Sequence, residues 1–162
     1  TYKYYTIKML KKILIPILLL FLSSCGYEAI HSKKNSVNYN FSLNELTFVG
    51  DRDVSLKIKE KINNYTLIKK DKNFSLEISS AKDKVVLAKD TAGDATSFRY
   101  TITVNIKVIM KNNFKNNLRL VESFNYNNDT NKFNLKKYER EIVNNLAETV
   151  AEKLIYKLSN IQ

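Results

Sequence analysis

The sequence contains few of the residues on which cross-linked or nucleotide-binding folds depend. Its 162 residues include three Gly, one Pro, one Cys and no Trp. A single Cys excludes a disulfide scaffold and a multi-cysteine zinc or iron–sulfur site, and so little Gly and Pro excludes a collagenous repeat. Gly26, Gly50 and Gly93 stand too far apart for a P-loop or a GxGxxG turn. These absences remove the common metal-cluster and phosphate-loop classes of protein.

Residues suited to catalysis are equally scarce. His31 is the only His and Cys25 the only Cys, and both lie in an N-terminal stretch that we expect outside the folded domain. His31 therefore has no fixed partner with which to form a Cys–His pair or a Ser–His–Asp triad. We predict that the chain is not an enzyme and uses no cofactor or metal. Two pairs of carboxylates on the last predicted helix are expected on its solvated face: Glu139 with Glu141, and Glu148 with Glu152.

Basic residues are in excess, since 27 Lys and Arg against 16 Asp and Glu give a formal charge of +11. Lys outnumbers Arg 23 to 4, and Asn occurs 20 times. AT-rich coding and selection for an anionic ligand both explain this bias, and both remain open. Nucleic acid is not the expected partner, because base-edge and bidentate phosphate contacts favour Arg. Lys is a compact cation that suits isolated phosphate groups.

The N-terminus has the layout of an export signal. Four Lys within residues 3–12 precede an apolar run at residues 13–22, which two Ser and Cys25 follow. Ten helical residues rise about 15 Å, roughly half of a hydrocarbon core of about 30 Å, so the run is short for a membrane span. Residues 22–25 resemble a bacterial lipobox, in which the chain is cut before the Cys and the Cys is acylated. The alternative is a buried Cys in a core helix, which the Lys and Ser flanks disfavour.

The lipobox sets the expected domain organisation. We predict that residues 1–24 are a removed lipoprotein signal peptide, with Met9 as an alternative start, and that residues 25–38 are an acylated tether. Residues 39–162 are predicted to form a single periplasmic α+β domain. Loss of four Lys and no acids would lower the charge to 11 − 4 = +7. Acyl chains on Cys25 would hold the domain at a membrane surface, and Gly26 resembles the residue after the Cys in lipoproteins sent to the outer membrane.

Alternating apolar residues predict four strands. The first is expected to contain one register slip and to end at Gly50. The second is expected to have an irregularity near Lys82 and Asp83. The clearest alternation covers residues 98–110, which predicts a long strand with one buried face. The fourth strand continues this pattern, although Glu122 is an awkward polar member of its apolar face.

Apolar residues at fourfold spacing predict two helices. Asp51 or Asp53 is expected to cap the first, whose apolar positions begin at Val54. The resulting order β-α-β-β-β-α predicts an α+β fold, a largely antiparallel four-stranded sheet with two helices packed on one face. The second helix carries a long apolar stripe: Tyr138, Ile142, Leu146, Val150, Leu154 and Leu158.

Several short segments together resemble one protein family. They are Cys25-Gly-Tyr after the lipobox, residues 98–105, residues 122–126, and residues 142–143 and 151–158 of the last helix. In this order they resemble the lipopolysaccharide-assembly lipoprotein family, LptE. The resemblance implies an outer-membrane lipoprotein that faces the periplasm and binds lipopolysaccharide. It also implies a plug and assembly partner for an LptD-type β-barrel, in lipopolysaccharide transport to the cell surface.

The resemblance further implies where lipopolysaccharide binds. Basic contacts in the family lie near the turn between the second and third strands and just before the last helix. The corresponding regions here hold Lys89, Lys132, Lys136 and Lys137. For any single Lys, a solvated helix start is an equally good explanation. The alternative function is an auxiliary lipoprotein of an ABC-type lipid transport system, without a barrel partner.

Overall fold

A computed structural model of the protein describes residues 40–67, 69–110 and 115–161. The predicted signal peptide, Cys25 and the tether lie outside these residues. In chain order, the elements are β1 (Phe41–Gly50), α1 (Arg52–Ile62), a 3₁₀ turn (Asn63–Thr66), β2 (Lys72–Lys89), β3 (Ala95–Met110), β4 (Lys115–Asn127) and α2 (Lys132–Ser159). The predicted order β-α-β-β-β-α is confirmed.

The four strands form one sheet in the order β1-β2-β3-β4. β1 and β2 pair in parallel because α1 carries the chain back between them. The β2–β3 and β3–β4 pairs are antiparallel. The register slip expected in β1 falls between Leu43 and Leu46. The largely antiparallel α+β sheet is therefore as predicted, with one parallel pair.

Both helices pack on one face of the sheet and supply half of the core. α1 buries Val54, Ile58 and Ile62, which are the positions that the fourfold spacing predicts. Tyr138 was expected in the stripe of α2 but is 44% exposed, because it lies at the flank of the helix and meets the ring of Tyr126 edge-on. The rest of the predicted stripe is buried: Ile142, Leu146, Val150, Leu154 and Leu158.

The junction between β1 and α1 is held by backbone and capping hydrogen bonds. Gly50 adopts a φ of +99°, and the N–H of Asp51 donates to the carbonyl of Ser80 at 3.0 Å. Asp51, rather than Asp53, caps α1, since its Oδ1 accepts from the Val54 N–H at 3.1 Å. Burial raises the pKa of the Asp51 carboxyl, but this capping N–H and Lys82 outweigh it and hold the pKa below its usual value.

One expectation about β2 is wrong. Lys82 and Asp83 pair in regular register with β3, and two register shifts lie instead between Val86 and Lys89. A charged residue fits within the regular strand because the Lys82 ammonium pairs with two carboxylates at the start of α1, at 3.1 and 3.0 Å. The polar sequence near Lys82 therefore marks a contact with α1 and not a break in the strand.

Glu122 has a specific partner on the helical side of the sheet. It lies opposite the buried Ile102 of β3, and its carboxylate pairs with Lys153 of α2. The carboxylate is 19% exposed, so the ion pair explains how a charged residue sits on the apolar face of β4.

Within the described part of the chain, no helix has the length and apolar character that a membrane span requires.

Candidate functional site

Two of the four predicted binding lysines come together at one end of the domain, which we call the loop end. It comprises the β2–β3 turn, residues 90–94, and the β4–α2 loop, residues 128–131. Lys89 pairs with Ala95 across β2 and β3, and the amide of Asn128 donates to the Ala95 carbonyl at 2.7 Å. Lys132 in turn donates to Asn128 Oδ1 at 3.4 Å. This short series of contacts places Lys89 and Lys132 at the same end.

The other two predicted lysines lie one turn further along α2 and point in different directions. Lys136 lines a groove between α1 and α2. Lys137 is two residues from the buried Leu135, which is about 200° around the helix, so it faces solvent. The structure therefore does not gather all four lysines into one cluster.

The groove between α1 and α2 has a volume of about 570 Å³ and is lined by both charges and apolar groups. Lys57 on its wall pairs with Glu60 at 3.0 Å. Among the ion pairs of the described residues, Lys136 and Arg140 take no part. These two cations lie one helical turn apart and are available to an anion. Sequence reasoning missed Arg140, whose i, i+4 spacing from Lys136 is its only signal.

A larger open depression of about 880 Å³ lies at the loop end. Leu87, Leu135 and Tyr138 form its apolar part. Asp129 adds one carboxylate to the lining. The other lining residues carry amide or hydroxyl groups, which can donate and accept hydrogen bonds without net charge: Ser97, Asn125, Tyr126, Asn127, Asn128, Thr130 and Asn134. The depression therefore combines apolar contact with neutral hydrogen-bonding groups.

A partly buried ion pair joins β2 to α2 beside this depression. The Lys84 ammonium lies 4.0 Å from the centre of the Phe98 ring and 2.5 Å from Glu139 Oε1. The same carboxylate oxygen accepts a hydrogen bond from the Tyr126 hydroxyl at 2.7 Å. Glu139 is only 14% exposed, so the expectation that it lies on the solvated face of the helix is wrong. We call this contact the Lys84–Glu139 clamp.

The contacts in the clamp shift the pKa values of Glu139 and Tyr126. Burial raises the pKa of the Glu139 carboxyl, but the hydrogen bonds from Lys84 and Tyr126 outweigh burial and hold that pKa below its usual value. Burial and the neighbouring Glu139 carboxylate raise the pKa of the Tyr126 hydroxyl, so it remains a hydrogen-bond donor. The clamp therefore stabilises the packing of α2 on the sheet.

Replacement of Glu139 by Gln is expected to lower stability at pH 7 by about 1–3 kcal/mol, because Lys84 loses its charged partner. The folded-state pKa of Glu139 lies below the ordinary value of 4.5. Its stabilising contribution is therefore complete above pH 4.5 and is lost as the pH falls through the folded-state pKa. Urea unfolding at pH 7 and pH 3 measures both effects, and the variant should lose less stability between them than the wild type.

Glu141→Gln is the matched control, since Glu141 is exposed on the same helix. It should leave stability at both pH values nearly unchanged. Equal pH dependence in the wild type and in Glu139→Gln would show that the clamp does not control the acid response.

The second pair of carboxylates on α2, Glu148 and Glu152, forms no catalytic or metal-binding set. Glu148 pairs with Lys61 of α1, and Glu152 is exposed. No group of three His, Cys, Asp or Glu side chains in the described ranges is arranged to hold a metal ion. The chemistry of the described domain is thus that of contact surfaces: cations, amides and aromatic rings at the loop end.

Comparison with solved structures identifies the class of domain. The fold is similar to rare lipoprotein B from Shewanella oneidensis, with a TM-score of 0.56, 13% identity, and coverage of 72% of this chain and 94% of that one. It is also similar to a minor lipoprotein from Acinetobacter baumannii, with a TM-score of 0.54, 13% identity, and coverage of 75% and 91%. At this identity the likeness establishes a shared fold, found in bacterial lipoproteins.

The family follows from the sequence itself. The model of the lipopolysaccharide-assembly family LptE matches residues 34–158, so the chain belongs to this family. The resemblance found in the sequence is confirmed. LptE is a non-enzymatic family of lipopolysaccharide-assembly lipoproteins, in agreement with the prediction that the chain is not an enzyme. Comparison with curated protein sequences gave no match.

Proposed function

We propose that this protein is an outer-membrane lipoprotein that binds lipopolysaccharide and acts as plug and assembly partner of an LptD-type β-barrel. The observation that carries the proposal is the LptE family match over residues 34–158. The protein would help to deliver lipopolysaccharide to the cell surface without catalysing a reaction. The two parts of the proposal, contact with the barrel and binding of lipopolysaccharide, use different surfaces of the domain.

The sheet face opposite the helices suits contact with a barrel wall. No helix in the described ranges covers it, and its exposed side chains include Thr47, Asn105 and Ser123. The interior of a membrane barrel is polar, so hydroxyl and amide groups can pair with it. β2 has 18 residues and is roughly 60 Å long, about twice the thickness of a hydrocarbon core. A plug with this sheet would extend beyond the membrane on at least one side.

The loop end suits a phosphorylated, glycosylated lipid. Lys89 and Lys132 supply cations for phosphate groups, and the adjoining depression supplies neutral hydrogen-bonding groups for sugar hydroxyls. Leu87 and Tyr138 add apolar contact there. Lys136 and Lys137 extend the positive charge along the start of α2 and complete the proposed site.

Replacement of the proposed binding lysines in pairs is expected to weaken lipopolysaccharide binding. Lys89→Gln with Lys132→Gln, and Lys136→Gln with Lys137→Gln, each remove two cations, and each pair should weaken binding about 3- to 10-fold because exposed charges contribute little individually. Binding is measured with purified lipopolysaccharide across a salt titration, together with the melting temperature of each variant.

The control is Lys59→Gln with Lys157→Gln, which removes the same charge. Both control side chains are exposed, and Lys157 lies 25 residues from Lys132 along α2, or about 38 Å. The control should change binding less than twofold. Equal losses of binding in all three double variants would show that net charge alone explains the attraction. Unchanged binding in the first two variants would reject the site.

Anchoring is proposed to occur through Cys25. The lipobox at residues 22–25 supports cleavage before Cys25 and acylation of the new N-terminus. The intact mass of protein extracted from membranes should equal a chain that begins at Cys25 plus acyl groups. A free thiol on a chain that retains the preceding residues would contradict this.

A further inference from the structure

Among the described residues, the sheet has three unpaired stretches of strand edge, and that of β4 is the least protected. Proteins protect exposed edges with bulges, Pro or Lys, because an unpaired row of N–H and C=O groups accepts another strand. β1 has an irregularity between Leu43 and Leu46. The part of β2 beyond β1 carries several Lys and the irregularity after Val86. β4 keeps perfect register with β3 from Asn127 to Lys115.

The outer edge of β4 is also partly apolar. Val121 is 48% exposed and Phe124 is 45% exposed. Residues 116–127 contain no Pro and no Lys, and their only charged members are Arg119 and Glu122. Glu122 is held by Lys153 on the helical side. An edge of this length, regular and nearly uncharged, is the kind to which a further strand adds.

The hydrogen bonds to β3 show which groups face outward. The N–H of Asn128 donates to the Thr96 carbonyl of β3, and residues alternate along an antiparallel strand. Even-numbered residues of β4 therefore bond to β3. The odd-numbered residues Arg119, Val121, Ser123 and Asn125 present their N–H and C=O groups at the free edge.

We propose that β4 pairs with β4 of a second copy of this chain, antiparallel and centred on Val121. Antiparallel pairing of one strand with itself has twofold symmetry, and the centres nearest the middle of β4 are Leu120, Val121 and Glu122. A centre on Glu122 places two carboxylates opposite each other, which is unfavourable. A centre on Leu120 places Leu118 opposite Glu122. The centre on Val121 also places Leu120 opposite Glu122, but it avoids the pair of carboxylates and is the only one of the three that places Leu118 opposite Phe124.

In this register most side chains of the two copies match, and Leu120 facing Glu122 is the exception. Val121 faces Val121 of the second copy, and Leu118 faces Phe124 on the helical side. Arg119 faces Ser123, and Asn117 faces Asn125 on the uncovered side. Pairs of apolar residues and of amides stabilise cross-strand contacts. The result is a continuous eight-stranded sheet with the helices of both copies on one face.

The expected association is weak. β4 has 13 residues, fewer than the roughly 20–30 a side of a standard interface, so the dissociation constant should be about micromolar or higher. The inference does not depend on the proposed function. The test uses the full chain in a non-ionic detergent without lipopolysaccharide or barrel, so it can fail while barrel and lipopolysaccharide binding succeed.

Sedimentation equilibrium from about 1 μM to 1 mM protein measures the association. Salt of about 0.15 M screens the net positive charge of the chain. Val121→Lys places two ammonium groups at the symmetry centre and should weaken dimerisation at least tenfold. Val49→Lys is the control, because Val49 is 62% exposed on β1 and its replacement adds the same charge; it should leave the dimer intact.

A second pair of variants tests the register. Ser123→Glu places a carboxylate opposite Arg119 of the second copy and should tighten the dimer about 3- to 10-fold relative to Asn125→Glu. Asn125→Glu carries the same charge but faces Asn117. A chain that stays monomeric throughout, equal effects of Val121→Lys and Val49→Lys, or equal effects of Ser123→Glu and Asn125→Glu would each overturn the proposal.

Discussion

Replacement of Leu154 by Asp is expected to unfold the domain. Leu154 is fully buried where α2 packs on the sheet, so the substitution removes a large apolar contact and buries a carboxylate without a partner. Loss of the Leu side chain alone costs about 2–5 kcal/mol, and the unpaired charge adds several more. The total approaches the 5–15 kcal/mol by which domains are usually stable. Circular dichroism should show no cooperative thermal transition.

The matched control is Tyr156→Asp, two residues along the same helix. Tyr156 is 63% exposed, so the new carboxylate stays in water and the helix should keep its packing. We expect a melting curve close to that of the wild type. If Leu154→Asp and Tyr156→Asp melt alike, the core face assigned to α2 is incorrect.

Replacement of Gly50 by Ala is expected to be the most damaging change outside the core. A Cβ on Gly50 would lie 2.0 Å from the carbonyl oxygen of Ser80, which is part of the backbone and bonds to Asp51. The methyl group can be placed only if β1 and β2 separate at the start of α1. We expect a loss of about 3 kcal/mol or more in the free energy of unfolding, measured in urea.

Gly93→Ala separates this clash from backbone strain. Gly93 has a φ of +90°, similar to that of Gly50, but a Cβ there has no atom within 4 Å. Its cost should be only that of the left-handed conformation, about 1–2 kcal/mol. If the two variants lose equal stability, the close approach to Ser80 contributes nothing.

Local periodicity was enough to predict the elements of this fold. The fourfold spacing of Val54, Ile58 and Ile62 lies within one helix, and the alternation in residues 98–110 lies within one strand. Each pattern reports burial on one side of an element. Gly50 and Asp51 also carry local information, because a positive φ and a helix cap each favour particular residue types. The sequence order of these elements then limited the sheet to few topologies.

Partners that are distant in the sequence were not predictable in this way. Glu139 belongs to a helix whose exposed face is rich in charge, and only the fold brings it to Lys84, 55 residues away. Glu122 and Lys153 are 31 residues apart, and their ion pair has no local signal. The polar residues near Lys82 suggested a break in β2 for the same reason, since the carboxylates that receive Lys82 belong to α1.

The features of the candidate site likewise divide into those with a local signal in the sequence and those that depend on distant residues. The chain order placed Lys89 and Lys132 beside turns, and the structure brings those turns to one end of the domain through Asn128. Sequence position alone did not separate Lys136 from Lys137, although the turn of the helix directs one toward the groove and the other toward solvent. The polar lining of the depression was also missed, because its residues come from three strands, the β4–α2 loop and α2.

Affinity purification of the tagged full chain from outer membranes is the most direct test of its proposed place in lipopolysaccharide transport. After solubilisation in mild detergent, the partner is identified by mass spectrometry and its stoichiometry is measured. We predict one large outer-membrane β-barrel of the LptD type in a one-to-one ratio with this chain. Recovery of an ABC-type transport complex without a barrel, or of the chain with no stoichiometric partner, would contradict the proposal.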